Sequence, residues 1–453
     1  MSRVAALPLV FVLALVVAPT GAAAVSGAPP AAHQENPCVG TVTDSPDRGT
    51  VVSIQGARGS DKTDAMLVGF DAAGGVLGVH NADDNGRWWA YDVDRLSNGN
   101  FLVATTQDQH TVVEEIEDET GEHVAVHEFE GLHDTHDVDL INGDELVMND
   151  MGDEHNRVIV YNLTREEVVW EYRFDEHSDV FPRSGGGPYG EDWTHNNDVD
   201  RIEPGVFMVS VRNFDQVVAI NRSTKELEWT LGEDDRSAVL DEQHNPDYIE
   251  TEDGRAAVLV ADSLNDRVVE YTREDDGWTR TWVLRGGGLN EPRDADRLPN
   301  GNTLVSDRRG DRVLEVTPEG EVVWEVYTPW QPYDAERLGT PDESSPPAMV
   351  DAGTTGTYEL DSSAASTSDL EACYDHLTGF DGSRLVPEGD PGPVTDQSTP
   401  DDAGTTDPSG TTDATDTPDS ALGTSTDGPG FGVTTLVAAL VVLAVVLVRR
   451  RRA

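Results

Sequence analysis

The chain has 453 residues, of which 86 are acidic and 31 are basic, and its formal net charge is -55. This charge argues against nucleic acid as a partner, because a polyanion would be repelled. Such a surface stays solvated in concentrated salt, which screens the repulsion between carboxylates, so the composition indicates a halophilic source. The length suffices for one large domain or two ordinary ones with an ample core.

The N-terminal residues predict export. Met1-Ser2-Arg3 precedes an apolar run and then small residues, which is the order of a secretory signal peptide, and we place this segment at residues 1–24. Asn162-Leu163-Thr164 and Asn221-Arg222-Ser223 are acceptor sequences for N-glycosylation, a modification that exported proteins carry.

A repeat occupies the middle of the chain. Its copies begin at Asp92, Asp137, Asp198, Asp247, Asp294 and Asp334, at intervals of 45, 61, 49, 47 and 40 residues. Each copy starts with a short strand and a tight turn, and most copies continue into a second strand pair. A tryptophan recurs near the end of that pair, at Trp170, Trp229, Trp282 and Trp324. Units of this length with about four strands are typical of β-propeller blades.

The sequence therefore predicts an all-β, six-bladed propeller over residues 38–386. The last copy has only its first strand, and we expect residues 65–81 to supply the missing strands, so that strands from both ends close the ring. The two cysteines flank the repeats. Because export permits disulfides, we expect Cys38 and Cys373 to form a bridge that joins the two ends of the domain, with two separate thiols as the alternative.

The residues after the propeller predict attachment to a membrane. Residues 387–428 are rich in Thr, Asp, Gly and Pro and predict a disordered stalk. Residues 429–453 contain an apolar segment, 433–448, followed by four arginines, which is typical of a transmembrane helix with a cytoplasmic stop. Pro429-Gly430-Phe431 resembles the PGF-type sorting signal of archaeal surface proteins, which implies cleavage by an archaeosortase and a lipid anchor. An ordinary membrane anchor is the alternative, and both place the propeller at the outer face of the cell membrane or in the surface layer.

The residues just before each recurring Asp are expected to face the mouth of the central channel, because the first strand of a propeller blade lines that channel. These positions bring together His136 (or His133), His195 and His244, together with Arg293, Tyr91 and Tyr333. A lone histidine more often bonds to a backbone carbonyl, but three at one mouth indicate a site. We expect the recurring aspartates to be structural and to accept backbone N–H bonds at the blade turns.

Two chemistries suit these histidines. Neutral imidazoles are common ligands of zinc, copper and iron, but a nearby arginine would repel a metal cation. The other chemistry is an oxyanion site, in which Arg212 and Asn197 donate hydrogen bonds to charged oxygens and a histidine acts as nucleophile or acid–base. We therefore expect no metal at this site.

Four motifs resemble the PAPS-independent aryl-sulfate sulfotransferases, a family of exported six-bladed propellers. They are His195-Asn196-Asn197, Ser210-Val211-Arg212, Trp229-Thr230-Leu231-Gly232 and Gln243-His244. The resemblance covers residues 130–275 at the level of motifs and about 50–335 at the level of blades. It implies transfer of a sulfuryl group from an aryl sulfate to a phenol through a sulfo-histidine, without a nucleotide cofactor.

The resemblance also implies roles for single residues. His244 would be the nucleophile, His195, Asn197 and Arg212 would hold the sulfuryl oxygens, and His136 would exchange a proton with the phenol oxygen. Tyr91, Tyr333, Trp88 and Trp89 would stack on the aromatic rings, with core packing as the alternative.

Three features depart from the family's pattern or add to it. Pro246 lies two residues after His244. Its ring fixes its own φ, and this constraint on the backbone can shift the position of the His244 imidazole. An N-terminal β-domain found in some bacterial relatives is absent from the sequence pattern, so we expect a monomer. Residues 178–193 are an insertion whose glycines predict a loop over the mouth, with an inert surface excursion as the alternative.

Two other functions suit the same pattern. A non-catalytic extracellular propeller would use the histidines to bind a ligand or metal at the channel mouth. A quinone-dependent dehydrogenase is the weaker alternative, because such propellers carry calcium-binding carboxylates where this sequence has imidazoles.

Overall fold

The computed structural model of the protein describes residues 36–108, 110–152, 156–275, 277–341 and 344–393. The predicted signal peptide, the stalk from residue 394 onward and the sorting signal with its transmembrane segment lie outside the described residues. Within the described ranges, no helix combines the length and the hydrophobicity that crossing a membrane requires.

Short β-strands make up most of the described chain. In chain order they are β1 (Val39–Val42), β2 (Thr50–Ile54), β3 (Ala57–Arg58), β4 (Asp61–Lys62), β5 (Met66–Phe70), β6 (Val76–Asn81), β7 (Val93–Arg95), β8 (Phe101–Gln107), β9 (His110–Ile116), β10 (His123–Phe129), β11 (Val138–Ile141), β12 (Glu145–Asp150), β13 (Arg157–Asn162), β14 (Glu167–Arg173), β15 (Asn196–Glu203), β16 (Val206–Val211), β17 (Gln216–Asn221), β18 (Leu227–Gly232), β19 (His244–Glu250), β20 (Ala256–Asp262), β21 (Arg267–Glu274), β22 (Gly277–Arg285), β23 (Pro292–Arg297), β24 (Thr303–Asp307), β25 (Arg312–Val316), β26 (Val322–Tyr327), β27 (Pro332–Arg337) and β28 (Gly356–Glu359). The α-helices are α1 (Met349–Ala352) and α2 (Thr367–Thr378). Single 3₁₀ turns are Ala82–Asn85, Phe174–Glu176, Arg212–Phe214, Ser263–Asn265 and Arg308–Gly310.

Six antiparallel sheets form the blades of a propeller, as predicted. Blades 1 to 5 are β7–β10, β11–β14, β15–β18, β19–β22 and β23–β26, and blade 6 is β27-β2-β5-β6. The prediction for blade 6 was incomplete: residues 65–81 supply β5 and β6, but β2 lies between them and β27. Two blades also carry a fifth strand, because β1 pairs with β26 and β28 pairs in parallel with β22.

The predicted disulfide is confirmed. Cys38 and Cys373 are bridged across 335 residues of sequence, and both are fully buried. Cys38 immediately precedes β1, and Cys373 lies on α2. The bridge therefore attaches the helix that follows the propeller to the outer edge of blade 5.

The core consists of apolar clusters between adjacent blades. Between blades 2 and 3, for example, Val158 and Tyr172 pack with Val199 and Phe207. Two of the recurring tryptophans also join blades, since the indole N–H of Trp170 donates to a carbonyl of the next blade and that of Trp282 does the same. Because apolar residues alternate along each strand, they point to one face of the blade and become buried in these clusters.

The recurring aspartates begin the innermost strands and line the central channel. Three of them accept backbone N–H bonds as predicted, but the donors are amides of the neighbouring blade and not of a blade turn. Asp92 Oδ2 accepts from the Val138 amide at 3.2 Å, and Asp334 Oδ2 accepts from the Val93 amide at 2.9 Å. Asp137 accepts from the Val199 amide in the same way. These bonds hold successive inner strands at one height around the axis.

The two predicted glycosylation sites differ in exposure. The side chain of Asn162 is buried and its amide donates to Asp144 at 3.2 Å, so the folded chain hides it. Asn221 is partly exposed and its amide donates to Glu228 at 2.9 Å.

Candidate active site

Equivalent positions of all six blades converge at one end of the channel. One residue per blade stands at the start of the inner strand, and these residues are Tyr91, His136, Asn197, His244, Arg293 and Tyr333. Two residues earlier in each blade the backbone is left-handed, with φ between 44° and 67°, at Trp89, Asp134, His195, Glu242, Glu291 and Gln331. Left-handed backbone costs a non-glycine residue free energy, so a repeated device must hold it.

That device is an aspartate at the end of a 3₁₀ turn in the preceding blade. The amide of Glu242 donates to Asp215 Oδ1 at 3.1 Å, that of Glu291 to Asp266 at 3.0 Å, and that of Gln331 to Asp311 at 2.8 Å. The same hydrogen bond, from the amide of a left-handed residue to an aspartate of the preceding blade, therefore recurs between three pairs of blades. It holds the bend that directs the residue two positions later toward the channel mouth.

This register separates the three histidines. His136 and His244 occupy equivalent positions, whereas His195 stands two residues earlier in its own blade. The sequence does not reveal this difference, because Asn245-Pro246 is inserted between His244 and Asp247 and places His244, like His195, three residues before its Asp. Asn245 is itself left-handed, with φ 31°, and absorbs the insertion as a bulge.

His244 is 2% exposed and has its two ring nitrogens in different environments. Nδ1 lies 3.0 Å from the carbonyl oxygen of Glu242 and 3.0 Å from Ser263 Oγ. A carbonyl oxygen only accepts, so Nδ1 carries the proton and Nε2 keeps its lone pair. Burial, followed by the positive charges of Arg293 and Arg212, lowers the pKa of His244 well below its ordinary value. The ring is therefore neutral at pH 7.

Three guanidinium groups line the same cavity as this ring. Arg293 Nη1 contacts both ring nitrogens of His244, at 2.7 Å from Nδ1 and closer still to Nε2, and Arg293 Nη2 donates to Glu291 at 2.8 Å. Burial, followed by the charge of Arg308, lowers the pKa of Arg293 to about 9, so it remains charged at neutral pH. Arg308 donates to Gln55 at 2.9 Å and also pairs with Glu291.

Arg212 is the third guanidinium group. One of its Nη atoms pairs with Glu242, and the other donates to Asn213 at 3.1 Å. Glu242 thus contacts the site twice, through its side chain on Arg212 and through its backbone carbonyl on His244.

His136 lines the same cavity. Its Nδ1 is 3.3 Å from the Tyr333 hydroxyl, its Nε2 is 3.5 Å from an Asp134 carboxylate oxygen, and its ring stacks on Tyr91 with centroids 4.1 Å apart. Burial lowers the pKa of His136 to about 4, although the negative charge of Asp134 acts to raise it. His136 is therefore a neutral base at rest.

His195 connects the site to the insertion at residues 178–193. Its Nδ1 is 2.7 Å from Asp192 Oδ1, and its ring centroid is 5.3 Å from that of His136. The insertion thus borders the mouth through Asp192.

Asn197 does not line the cavity. It is fully buried, and its side-chain amide donates to the Gln243 carbonyl at 3.0 Å. This bond fixes the backbone just before His244, which makes Asn197 a positioning residue in this geometry.

The described side chains enclose two connected spaces. The inner cavity, of about 160 Å³, is lined by His136, His195, His244, Tyr91 and Tyr333 together with the three arginines and Gln55. The vestibule, of about 760 Å³, opens beside it and shares Trp89, Tyr91, Asp134 and His195 with it. Cationic donors in the inner cavity suit an anion, and aromatic rings at the vestibule suit an aromatic group. Trp88 and the exposed His133 also face the vestibule.

Sequence reasoning missed Arg308, Gln55, Glu291 and Ser263. Two of these residues, Ser263 and Arg308, could have been found by comparing blades. The second strands of blades 3, 4 and 5 and the residue after each strand read "VSVR", "VADS" and "VSDR". Aligning these ends places Ser263 and Arg308 at the position of Arg212, where each begins a 3₁₀ turn.

Comparison with known proteins gives one family. The model of the family described as arylsulfotransferase (ASST) matches residues 39–264, which include His136, His195, Arg212 and His244. A search of the curated proteins finds no match.

Solved structures with some similarity have low identity. They include a protein of unknown function from Bacteroides caccae, at 14% identity and a TM-score of 0.44 over 68% of this chain and 97% of that one. A putative 6-phosphogluconolactonase from Bacteroides fragilis has 14% identity and a TM-score of 0.41 over 66% and 99%. A catalytically inactive virginiamycin B lyase from Staphylococcus aureus, with quinupristin, has 11% identity and a TM-score of 0.38 over 64% and 87%. At these TM-scores we draw no conclusion from the likenesses.

Proposed function

We propose that this protein is an aryl-sulfate sulfotransferase that carries the sulfuryl group on His244 and uses no nucleotide cofactor. The observation that carries the proposal is the state of His244, a buried neutral imidazole whose Nδ1 faces a carbonyl oxygen and whose Nε2 contacts Arg293, in a cavity that Arg212 and Arg308 also line. The match of residues 39–264 to the arylsulfotransferase family supports a sulfotransferase.

In the first half-reaction His244 attacks the donor. The Nε2 lone pair forms a bond to sulfur while the bond between sulfur and the aryl oxygen breaks, and the electron pair leaves on the phenolate. Arg293 contacts Nε2 at rest and turns to the sulfuryl oxygens when the ester binds. The hydrogen bond from Nδ1–H to the Glu242 carbonyl then stabilises the positive sulfo-imidazolium.

Arg212, Arg293 and Arg308 stabilise the charge that moves during this step. Negative charge spreads over the sulfuryl oxygens and the leaving oxygen in the transition state, and cationic donors around it lower its free energy. Glu242 holds Arg212 and Glu291 holds Arg308, so these two donors are in place before the substrate binds.

In the second half-reaction a phenol takes the sulfuryl group. His136, a neutral base at rest, accepts the proton of the acceptor phenol as its oxygen attacks sulfur, and the bond to His244 Nε2 breaks. The proton gained by His136 can be returned to the next leaving phenolate. Asp134 and the Tyr333 hydroxyl orient the ring for both transfers.

The substrates that fit this site are small aryl sulfates and phenols. The sulfuryl group would occupy the inner cavity, and the ring would lie against Tyr91 and Trp89 where the cavity joins the vestibule. His195 and Arg212 would hold the sulfuryl oxygens nearest the mouth.

We propose that the protein works as a monomer outside the cell. Residues 1–24 would direct export, and residues 429–453 would attach the chain to the membrane, directly or through a lipid after archaeosortase cleavage. These segments support the location through their composition.

The test is phenol-dependent release of a chromophore from an aryl sulfate by the purified protein in high-salt buffer. We expect release that requires added phenol and that falls to the uncatalysed background in His244→Asn. His127→Asn, on the outer strand of blade 1, is the matched control and should keep full activity. No release from folded wild-type protein over a broad panel of aryl sulfates would favour the alternative, a propeller that binds a ligand at its mouth without catalysis.

A further inference from the structure

The central channel below the candidate active site is lined by acidic side chains. Ten carboxylates from all six blades border a space of about 40 Å³, and no lysine, arginine or histidine is among its described lining residues. The inner strands produce this arrangement because Asp recurs at positions i and i+2, which share one face of a strand, as in Asp198 and Asp200.

Two of these carboxylates have oxygens with no hydrogen-bond partner among the described residues. They are Asp198 Oδ2 and Asp294 Oδ2, and the residues are only 4% and 3% exposed. Interblade amides satisfy Asp92, Asp137 and Asp334, but no such bond reaches either of these two oxygens. An anionic oxygen without a partner in a buried site costs several kcal/mol, on the order of the desolvation of an ion, unless a counter-charge is present.

Three carboxylates stand close enough to share an ion. Single oxygens of Asp137, Asp198 and Asp200 all lie within 4.8 Å of one another. Oxygens that bind one Ca²⁺ at about 2.3–2.6 Å can be up to about 5 Å apart, so the separation fits. The side-chain oxygen of Asn245 faces the same space and also has no partner among the described residues.

We propose that this channel holds a structural divalent cation of the Ca²⁺ type, bound by Asp137, Asp198 and Asp200, with the Asn245 carbonyl oxygen as a neutral ligand. The ligands are all hard oxygens, which excludes the softer transition metals as preferred ions. Ca²⁺ fits better than Mg²⁺ because it tolerates irregular geometry, whereas Mg²⁺ demands a near-ideal octahedron.

The cation would join blade 2 to blade 3 and neutralise the floor of the active site. Asp137 follows His136 directly, so the ion would lie one residue below the catalytic layer. Without a cation, Asp198 Oδ2 would be a buried carboxylate oxygen with no hydrogen-bond partner among the described residues. The insertion Asn245-Pro246 would also contribute to the cation site, because the bulge at Asn245 brings its side-chain amide oxygen to the channel.

The test measures metal content and stability in the whole purified protein. We expect about one Ca²⁺ per chain by elemental mass spectrometry after extensive dialysis. Removal by a chelator should lower the melting temperature, and Ca²⁺ should restore it at constant ionic strength. Asp198→Asn and Asp200→Asn should lose the bound Ca²⁺ and its effect on melting, whereas Asp275→Asn, an exposed change in the turn between β21 and β22, should keep both.

A second measurement needs no variant. Tb³⁺ bound in the channel should show luminescence sensitised by Tyr333, which lies next to Asp334 in the channel wall, and Ca²⁺ should displace it more readily than Mg²⁺. The proposal would be overturned if the dialysed protein held no divalent metal and bound neither Ca²⁺ nor Tb³⁺. It would equally be overturned if K⁺ at matched ionic strength restored stability as well as Ca²⁺ did, or if Asp198→Asn bound Ca²⁺ like wild type.

Discussion

The Nδ1 atom of His244 lies 3.0 Å from the carbonyl oxygen of Glu242, a residue in the left-handed region of backbone conformation. The left-handed backbone at Glu242 directs its carbonyl toward the ring. A hydrogen bond from the Glu242 amide N–H to Asp215 Oδ1 holds this backbone conformation. The carbonyl selects the tautomer in which Nε2 is unprotonated. In this way a backbone conformation that recurs in every blade gives His244 the unprotonated Nε2 that the proposed nucleophile requires.

The first prediction concerns Arg293. Its charge is the largest cause after burial that lowers the pKa of His244, so Arg293→Gln should raise that pKa. Activity requires neutral His244 and is lost as pH falls through its pKa, so the acid limb of kcat/KM should move to higher pH in the variant. We also expect a loss of about 10²–10³ in kcat, the usual effect of removing one transition-state donor. Arg255→Gln, on an exposed hairpin, is the control, and an unmoved acid limb would contradict the assignment.

The second prediction concerns His136. If it returns a proton to the leaving phenolate, His136→Gln should barely affect donors with acidic phenols and should slow donors with basic phenols by about 10²–10³. The measurement is the dependence of kcat/KM on leaving-group pKa, which should be steeper in the variant than in wild type. A parallel shift of the whole series would show that His136 acts on another step.

The third prediction concerns the vestibule. Trp89 borders both spaces, so Trp89→Ala should raise KM for aryl sulfates roughly fivefold, as expected for a lost aromatic contact of about 1 kcal/mol, with kcat nearly unchanged. Trp278→Ala removes a tryptophan from the outer strand of blade 4 and should leave KM unchanged. Equal KM values in the two variants would place the substrate ring elsewhere.

The fourth prediction concerns the disulfide. The bridge between Cys38 and Cys373 closes a loop of 335 residues, so replacing both by Ser should destabilise the fold by about 2–4 kcal/mol. Thermal unfolding of wild type with and without reductant should show the same decrease, and the double variant should not respond to reductant. Neither cysteine lines the inner cavity or the vestibule, so kcat at low temperature should be retained.

The fold could be predicted from the sequence because each blade repeats the same strand pattern. The spacing of Asp92, Asp137 and the later copies gave six blades, and the position of the cysteines gave the disulfide. The role of β2 in blade 6 was missed because Thr50–Ile54 lacks the recurring Asp and turn. Pairing between distant segments is decided by closure of the ring rather than by local pattern.

The site could be predicted only in part. His136, His244 and Arg293 meet in one cavity as expected from their repeated positions, and Arg212, expected there from the family resemblance, also lines it. Asn197 occupies the same position but turns its amide to the Gln243 carbonyl, which no sequence pattern reveals. Arg308 was missed because it comes from a second strand rather than from the residues before an Asp, and only comparison of blades with one another exposes it.

Capture of the covalent intermediate tests the central claim most directly. Wild-type protein should be mixed with an aryl sulfate in the absence of acceptor, quenched at alkaline pH and digested, and the peptides should be mapped by mass spectrometry. We predict one added sulfuryl group on the peptide that contains His244, its disappearance when phenol is added, and no adduct in His244→Asn. A sulfuryl group on another residue, or phenol-dependent turnover with no adduct at any time, would contradict the account.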